Sequence, residues 1–131
     1  MPLVSILAVA LGSALGGVAR FTLSVGSVRW LGPSFPYGTL TINIVGSFLI
    51  GWIFAATGPG GRLEAQLTTR QFLMSGLCGG FTTFSAFSLE TLNLARDGFG
   101  GRAFLNVALS IVLCLAAVWL GFTIADPLAK R

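Results

Sequence analysis

Long apolar stretches alternate with short charged or turn-rich segments along the whole chain. The charged residues leave four uncharged intervals: residues 2–19, 30–61, 71–89 and 103–125. A helix needs about 20 mainly apolar residues to cross a bilayer, and each interval is long enough for one crossing. The pattern therefore predicts an all-α membrane protein with a single domain over residues 1–131. Its four transmembrane helices are predicted at about residues 2–23, 39–56, 70–95 and 103–125.

The composition agrees with this pattern, since 54% of the residues are hydrophobic and 9% are charged. The net charge is +4, but the basic side chains are scattered at the predicted span ends, which favours a membrane interface over nucleic acid. The chain has no histidine, and Glu90 is the only carboxylate inside a predicted span. We therefore expect no general base and no enzymatic activity. The N-terminus has no basic region ahead of its apolar stretch, so we expect no cleaved signal peptide.

Two of the predicted spans carry polar or small side chains at intervals of four residues, which places each set on one helical face. The two sets are Thr39, Asn43 and Ser47 in the second span and Asn106, Ser110 and Cys114 in the fourth. Such a stripe either bonds neighbouring helices together, typically with about 1 kcal/mol per contact in a bilayer, or lines a pathway for a polar solute. The stripes alone leave both interpretations open.

The third span contains an unusual run of glycines and hydroxyls. Gly76, Gly79 and Gly80 fall within five residues, and four hydroxyl-bearing residues follow among phenylalanines. Glycine weakens a helix by roughly 1 kcal/mol relative to alanine, so this run predicts a helix broken in mid-membrane, near residues 76–82. In hydrocarbon, the freed backbone groups must find partners within protein, water or ions. The run therefore indicates a functional site.

Basic residues are divided equally between the two sides of the predicted bundle. One side has Arg62, Arg70, Lys130 and Arg131, and the other has Arg20, Arg29, Arg96 and Arg102. Since the excess of basic residues normally sets orientation, this balance predicts insertion in both directions. We expect two oppositely oriented copies to pair as an antiparallel homodimer, because four short helices are too few to enclose a pathway comfortably.

Three motifs resemble those of the Fluc/CrcB fluoride channel family. They are Gly16-Gly17-Val18-Ala19-Arg20-Phe21, the segment from Gly38 to Gly46 (GTLTINIVG) and the segment from Gly79 to Ser88 (GGFTTFSAFS). The resemblance implies passive, fluoride-selective export across the cell membrane by an antiparallel homodimer. It also implies a structural Na⁺ at the dimer centre, held by the backbone carbonyls of Gly79 and Thr82.

The resemblance assigns roles to individual side chains as well. Phe84 and Phe87 match the pore-lining rings, whose positive edges attract a small anion. Arg20 matches an arginine of the pore vestibule. The expected polar donors of the fluoride pathway are Asn43 and Ser110, with Thr39 and Ser47 as weaker candidates. The residues expected to support the pore are Glu90, Thr83 and Ser85.

Two other functions fit the four-span pattern. A small proton-coupled multidrug exporter also inserts in both directions, but it needs a carboxylate deep in the membrane. Residues 2–19 contain none, and Glu90 is near a span end. A non-conducting scaffold is the other alternative, and it would use the polar stripes only to hold helices together.

Overall fold

The computed structural model describes residues 2–126 and residue 128, and all regular structure within them is helical. The elements are α1 (Leu3–Leu31), α2 (Tyr37–Thr57), α3 (Leu67–Gln71), a π-helical segment (Phe72–Cys78), α4 (Gly79–Phe81), α5 (Phe84–Arg96) and α6 (Gly100–Ala125). Four stretches are long and apolar enough to cross a membrane: α1, α2, Leu67–Arg96 and α6. The prediction of a multi-pass all-α protein is confirmed. The basic tail residues Lys130 and Arg131 lie outside the described residues.

The first helix continues well past residue 23, where the sequence predicted its end, and reaches Leu31. Ser27 Oγ donates to the carbonyl oxygen of Ser24 at 2.8 Å, so this hydroxyl is satisfied within the helix. The helix ends at Gly32, whose φ of +80° suits a residue without a side chain. Polar serines therefore did not mark a helix end, whereas Gly32 and the proline after it did.

Glycines bring α2 and α6 into close contact. A Cβ atom added to Gly51 would meet the Val118 carbonyl oxygen, and one added to Gly121 would meet the Phe48 carbonyl oxygen. Small residues at such positions let two transmembrane backbones approach closely. The two helices that carry the polar stripes are thus direct neighbours.

Glycines also bring α1 against the third span. A Cβ atom on Gly80 would lie 2.5 Å from the carbonyl oxygen of Ser13, and one on Gly16 would meet the carbonyl oxygen of Leu77. Gly76, Gly79 and Gly80 themselves lie in helical segments. Gly76 and Gly80 therefore serve close packing against α1, which differs from the sequence interpretation of these glycines as the point where the helix opens.

Extended backbone occurs just after these glycines. Thr82 has φ −84° and ψ 160°, and Thr83 has φ −153° and ψ 116°. These two residues separate α4 from α5. Thr82 is the last residue of the stretch 76–82 in which the sequence predicted a broken helix, and Thr83 is the next residue. The preceding π-helical segment belongs to a class of distortion that is frequent at functional sites.

Candidate functional site

A cavity of about 420 Å³ lies beside the extended residues, between α2, the third span and α6. Five residues predicted for the fluoride pathway line it: Asn43, Ser47, Phe84, Phe87 and Ser110. Gly79 and Thr82, predicted as Na⁺ ligands, and Thr83, predicted to support the pore, line it as well. Cys114, from the fourth-span stripe, also lines the cavity. The lining residues that the sequence did not point to are apolar or small: Gly46, Ile50, Cys78, Ile111 and Leu115. The cavity therefore combines both polar stripes with the phenylalanine pair.

Asn43 holds the extended backbone in place with both ends of its amide. Its Nδ2 donates to the Thr83 carbonyl oxygen at 3.0 Å, and its Oδ1 accepts from the Thr83 amide at 2.8 Å. A backbone that leaves the helix needs such partners, because water does not reach it in hydrocarbon. One amide hydrogen of Asn43 remains after these two bonds, and it is available to a solute in the cavity.

Two backbone carbonyls lose their usual helical donors at this point. In a continuous helix the Gly79 carbonyl would accept from the Thr83 amide, which bonds Asn43 instead. The Thr82 carbonyl would likewise accept from the Ala86 amide, which donates to Thr83 Oγ1 at 3.1 Å. The side chains that stabilise the extended backbone thus take from these two carbonyl oxygens their usual helical donors.

Arg20 caps the end of α4. Its Nε donates to the Gly80 carbonyl oxygen at 3.1 Å, across 60 positions of sequence. A positively charged donor is favourable at the C-terminal end of a helix, where carbonyl oxygens lack partners. The structure therefore places this predicted vestibule residue against the interrupted helix, and Arg20 does not line the cavity of Asn43 and Ser110.

Phe84 and Phe87 form a tilted pair at the start of α5. Their ring centroids are 5.3 Å apart with an interplanar angle of 51°, so they are not stacked face to face. Phe84 is 78% exposed, whereas Phe87 is half-buried. Because aromatic edges carry positive potential, rings that present their edges to a cavity attract a small anion without a formal charge.

Ser110 contributes a hydroxyl that is not hydrogen-bonded to any described residue. The residue is 8% exposed, and its Oγ atom is buried without a hydrogen-bond partner among the described residues. A buried hydroxyl without a partner costs on the order of 1–3 kcal/mol. Since Ser110 lines the cavity, its hydroxyl is positioned to donate to a bound anion or water there.

The remaining predicted residues lie outside the cavity wall. Thr39 Oγ1 donates to Glu90 Oε1 at 2.8 Å, and the other carboxylate oxygen of Glu90 is buried without a partner in the described part of the chain. Ser85 Oγ lies 3.2 Å from Thr83 Oγ1 on the exposed side. Thr39 and Glu90 thus form a buried pair that joins α2 to α5, and Ser85 supports the residue at the N-terminus of α5.

A series of hydrogen bonds that reaches the backbone of Phe87 was not predicted from the sequence. Asn106 is 1% exposed, and its Nδ2 donates to Thr91 Oγ1 at 2.9 Å. Thr91 Oγ1 in turn donates to the Phe87 carbonyl oxygen at 2.7 Å. These bonds tie α6 to the helix that carries the rings. Thr91 follows Phe87 by four residues, and this spacing was the available signal.

Comparison with known proteins places this site in a family. Residues 7–122 match the family described as CrcB-like protein, Camphor Resistance (CrcB). A protein of Opitutus terrae is 58% identical over 113 residues, covering 86% of each chain. One of Methylocella silvestris is 55% identical over 115 residues, covering 88% of each. One of Rhodopseudomonas palustris is 48% identical over 122 residues, covering 93% of this chain and 86% of its own.

The first two relatives carry the name fluoride-specific ion channel FluC, and the third is named fluoride-specific ion channel FluC 1. The match covers all four membrane-spanning stretches, from α1 to α6. The chain therefore belongs to the CrcB-like protein family.

Proposed function

We propose that this protein is a fluoride-selective channel that lets fluoride leave the cell passively through the cell membrane. The observation that carries the proposal is the cavity lined by two aromatic rings and by the Ser110 hydroxyl, which is buried without a partner among the described residues. The names of the relatives describe an ion channel rather than an enzyme or an exporter. Four spans long enough for a bilayer support a multi-pass location.

In the cavity, fluoride would exchange its hydration water for several groups of the protein, each of which binds the ion weakly. The Ser110 hydroxyl and the remaining Asn43 amide hydrogen supply directed hydrogen bonds, while the edges of Phe84 and Phe87 supply a diffuse positive potential. No basic side chain of the described residues lines this cavity, so no guanidinium or ammonium group binds the ion too strongly for it to leave, as conduction requires. Ser47, on the same wall, is a further hydroxyl donor.

The working unit is proposed to be an antiparallel homodimer. Phe84 is largely exposed in one copy although it lines the cavity, so the cavity lacks a wall on that side. Ser85 and Ser88 are also exposed on α5, and exposed hydroxyls at membrane depth favour contact with protein over contact with lipid. A second copy facing the opposite way supplies this wall and fits the equal division of basic residues.

A structural Na⁺ is proposed at the centre of this dimer. The carbonyl oxygens of Gly79 and Thr82 have lost their helical donors, and Gly79 is exposed on the surface of one copy. Unwound backbone carbonyls in broken transmembrane helices are suited to Na⁺. Two from each copy would make a four-oxygen site. When bound, the ion adds a buried positive charge that lowers the cost of an anion nearby.

The remaining residues are proposed to support this pathway. Arg20 fixes the end of α4 through one nitrogen, and the rest of its guanidinium contributes a positive field that attracts anions to the vestibule. Thr83 begins α5 and orders its first turn. The Thr39–Glu90 pair holds α2 against α5, and this contact fixes the distance between Asn43 and the two rings.

Fluoride efflux from liposomes that contain the purified protein tests the proposal. Wild-type protein is expected to release fluoride rapidly and chloride hardly at all. Phe84→Ile should suppress efflux, whereas Phe104→Ile, at a phenylalanine that is 75% exposed on α6 and outside the cavity, should not. Efflux that depends on a proton gradient would instead favour an exporter. No flux of any ion from folded protein would favour a scaffold.

A further inference from the structure

A second cavity, of about 330 Å³, lies where α2 and α6 end and the third span begins. It is lined by the loop 58–61, by Arg70 and Asp126, and by the apolar side chains Phe54, Phe122 and Leu128. At 1.5 Å per residue, the 21 residues of α2 span about 31 Å, which matches a hydrocarbon core of about 30 Å. The cavity therefore lies at the level of the lipid headgroups.

Arg70 is a partly buried arginine whose Nε atom lacks an acceptor among the described residues. Its Nε atom is buried and has no hydrogen-bond partner within residues 2–126 and 128. Its guanidinium lies 5.4 Å from the ring centroid of Phe54, which orients the side chain but satisfies none of its N–H groups. A buried charged donor without an acceptor is costly. Its position in the cavity wall indicates an anionic group as its missing partner.

Asp126 brings a negative charge to the same cavity. Its Oδ1 accepts a hydrogen bond from the Leu128 amide at 3.0 Å, and it makes no ion pair with Arg70 within 4.0 Å. A cavity that keeps one cation and one anion apart is suited to a ligand that also carries both charges. A purely anionic ligand would be repelled by Asp126, so the charges favour a zwitterion.

The apolar walls indicate that this zwitterion carries a hydrocarbon chain. Phe54 and Phe122 are 6.1 Å apart between centroids, and both are exposed on the outer surface of the bundle. We propose that the cavity binds the headgroup of one phosphatidylethanolamine molecule. Its phosphate meets Arg70, its ammonium meets Asp126, and its acyl chain begins along the two phenylalanine rings. This proposal is independent of fluoride conduction.

Native mass spectrometry of the delipidated full-length protein tests the proposal. Phosphatidylethanolamine, phosphatidylcholine and phosphatidylglycerol with the same acyl chains are added at equal concentration. Phosphatidylethanolamine should be retained about tenfold more tightly than phosphatidylcholine, whose trimethylated ammonium cannot donate hydrogen bonds to Asp126. Asp126→Asn should remove this preference, and Arg70→Gln should lower the retention of every phospholipid by about tenfold. Arg62→Gln is the matched control, because Arg62 is an exposed arginine directly after the loop 58–61.

Several outcomes would overturn the proposal. Equal retention of the three lipids by wild-type protein would show that the cavity does not select a headgroup. Preference for phosphatidylglycerol would indicate a simple anion site, as would protection of the protein from thermal unfolding by inorganic phosphate alone. The comparison of lipids on wild-type protein needs no variant, so the proposal remains falsifiable if Arg70→Gln does not fold.

Discussion

The two hydrogen bonds between Asn43 and Thr83 allow a quantitative test of how the extended backbone is stabilised. Replacing Asn43 with alanine removes the acceptor of the Thr83 amide and the donor to the Thr83 carbonyl at once. The Thr83 amide then has no helical acceptor in the present geometry, because Thr82 and Thr83 are extended and separate α4 from α5. The Thr83 carbonyl, at the N-cap, still accepts the first hydrogen bond of α5. Asn43→Ala should therefore destabilise the fold beyond the loss of an ordinary surface contact.

The expected magnitude follows from the burial of these groups. A buried donor without an acceptor costs about 1–3 kcal/mol, and this substitution leaves one, the Thr83 amide. Asn43 and Thr83 are both half-buried, and water in the cavity would replace part of what is lost. We therefore expect about 1–2 kcal/mol of destabilisation, in the lower part of this range. Fluoride efflux per folded protein should fall as well, because the backbone beside the rings is no longer fixed.

Reversible unfolding in mixed detergent micelles, followed by circular dichroism, measures this free energy. Asn93→Ala is the matched control, because Asn93 is an exposed asparagine on α5, and its change should stay within about 0.5 kcal/mol. The reasoning is refuted if Asn43→Ala is as stable as this control. Lost stability with unchanged efflux per folded protein would mean that the amide supports the backbone but does not contact the ion.

Three further predictions follow from the same geometry. Gly80→Ala should destabilise the protein by about 1–3 kcal/mol in the same unfolding assay, because the new Cβ would lie 2.5 Å from the Ser13 carbonyl oxygen. Gly17→Ala is the control and should be neutral or slightly stabilising, since a Cβ at Gly17 meets none of the described atoms within 4 Å. Ser110→Ala should slow fluoride efflux without lowering the unfolding temperature, since the hydroxyl has no partner within the described chain to lose; a large drop in that temperature would contradict this. Replacing all Na⁺ with a bulky organic cation during purification should lower the unfolding temperature, and an unchanged value would argue against a structural Na⁺.

Hydrophobic pattern predicted most of the fold, and the limits of that prediction have physical causes. Four uncharged intervals were enough to place four helices, because a bilayer demands long apolar segments with satisfied backbones. The end of α1 was missed because Ser27 bonds the backbone of its own helix, so a polar residue did not interrupt the helix. The cavity residues on the two stripes were predicted as a group, since their four-residue spacing places them on one face of each helix.

Partners across helices could not be read from the sequence. Asn43 was predicted as a donor to the ion, but spacing does not show that it first bonds the backbone of Thr83, 40 positions away. Arg20 was predicted at a vestibule, and its bond to the Gly80 carbonyl depends on how α1 crosses the third span. The Asn106–Thr91 bond joins two helices whose relative rotation no local pattern fixes.

The sequence by itself predicted that this chain is a membrane protein, how many times it crosses the bilayer, and which short motifs relate it to a channel family. These predictions were possible because the length of an apolar segment and the residues of a motif are local properties of the chain. Tertiary structure alone decided which glycines serve packing, that Thr82 and Thr83 are the extended residues of the third span, and which carbonyls lose their helical donors. Those features arise from competition between side chains on different helices for the same backbone groups, as when Asn43 takes the Thr83 amide from the Gly79 carbonyl.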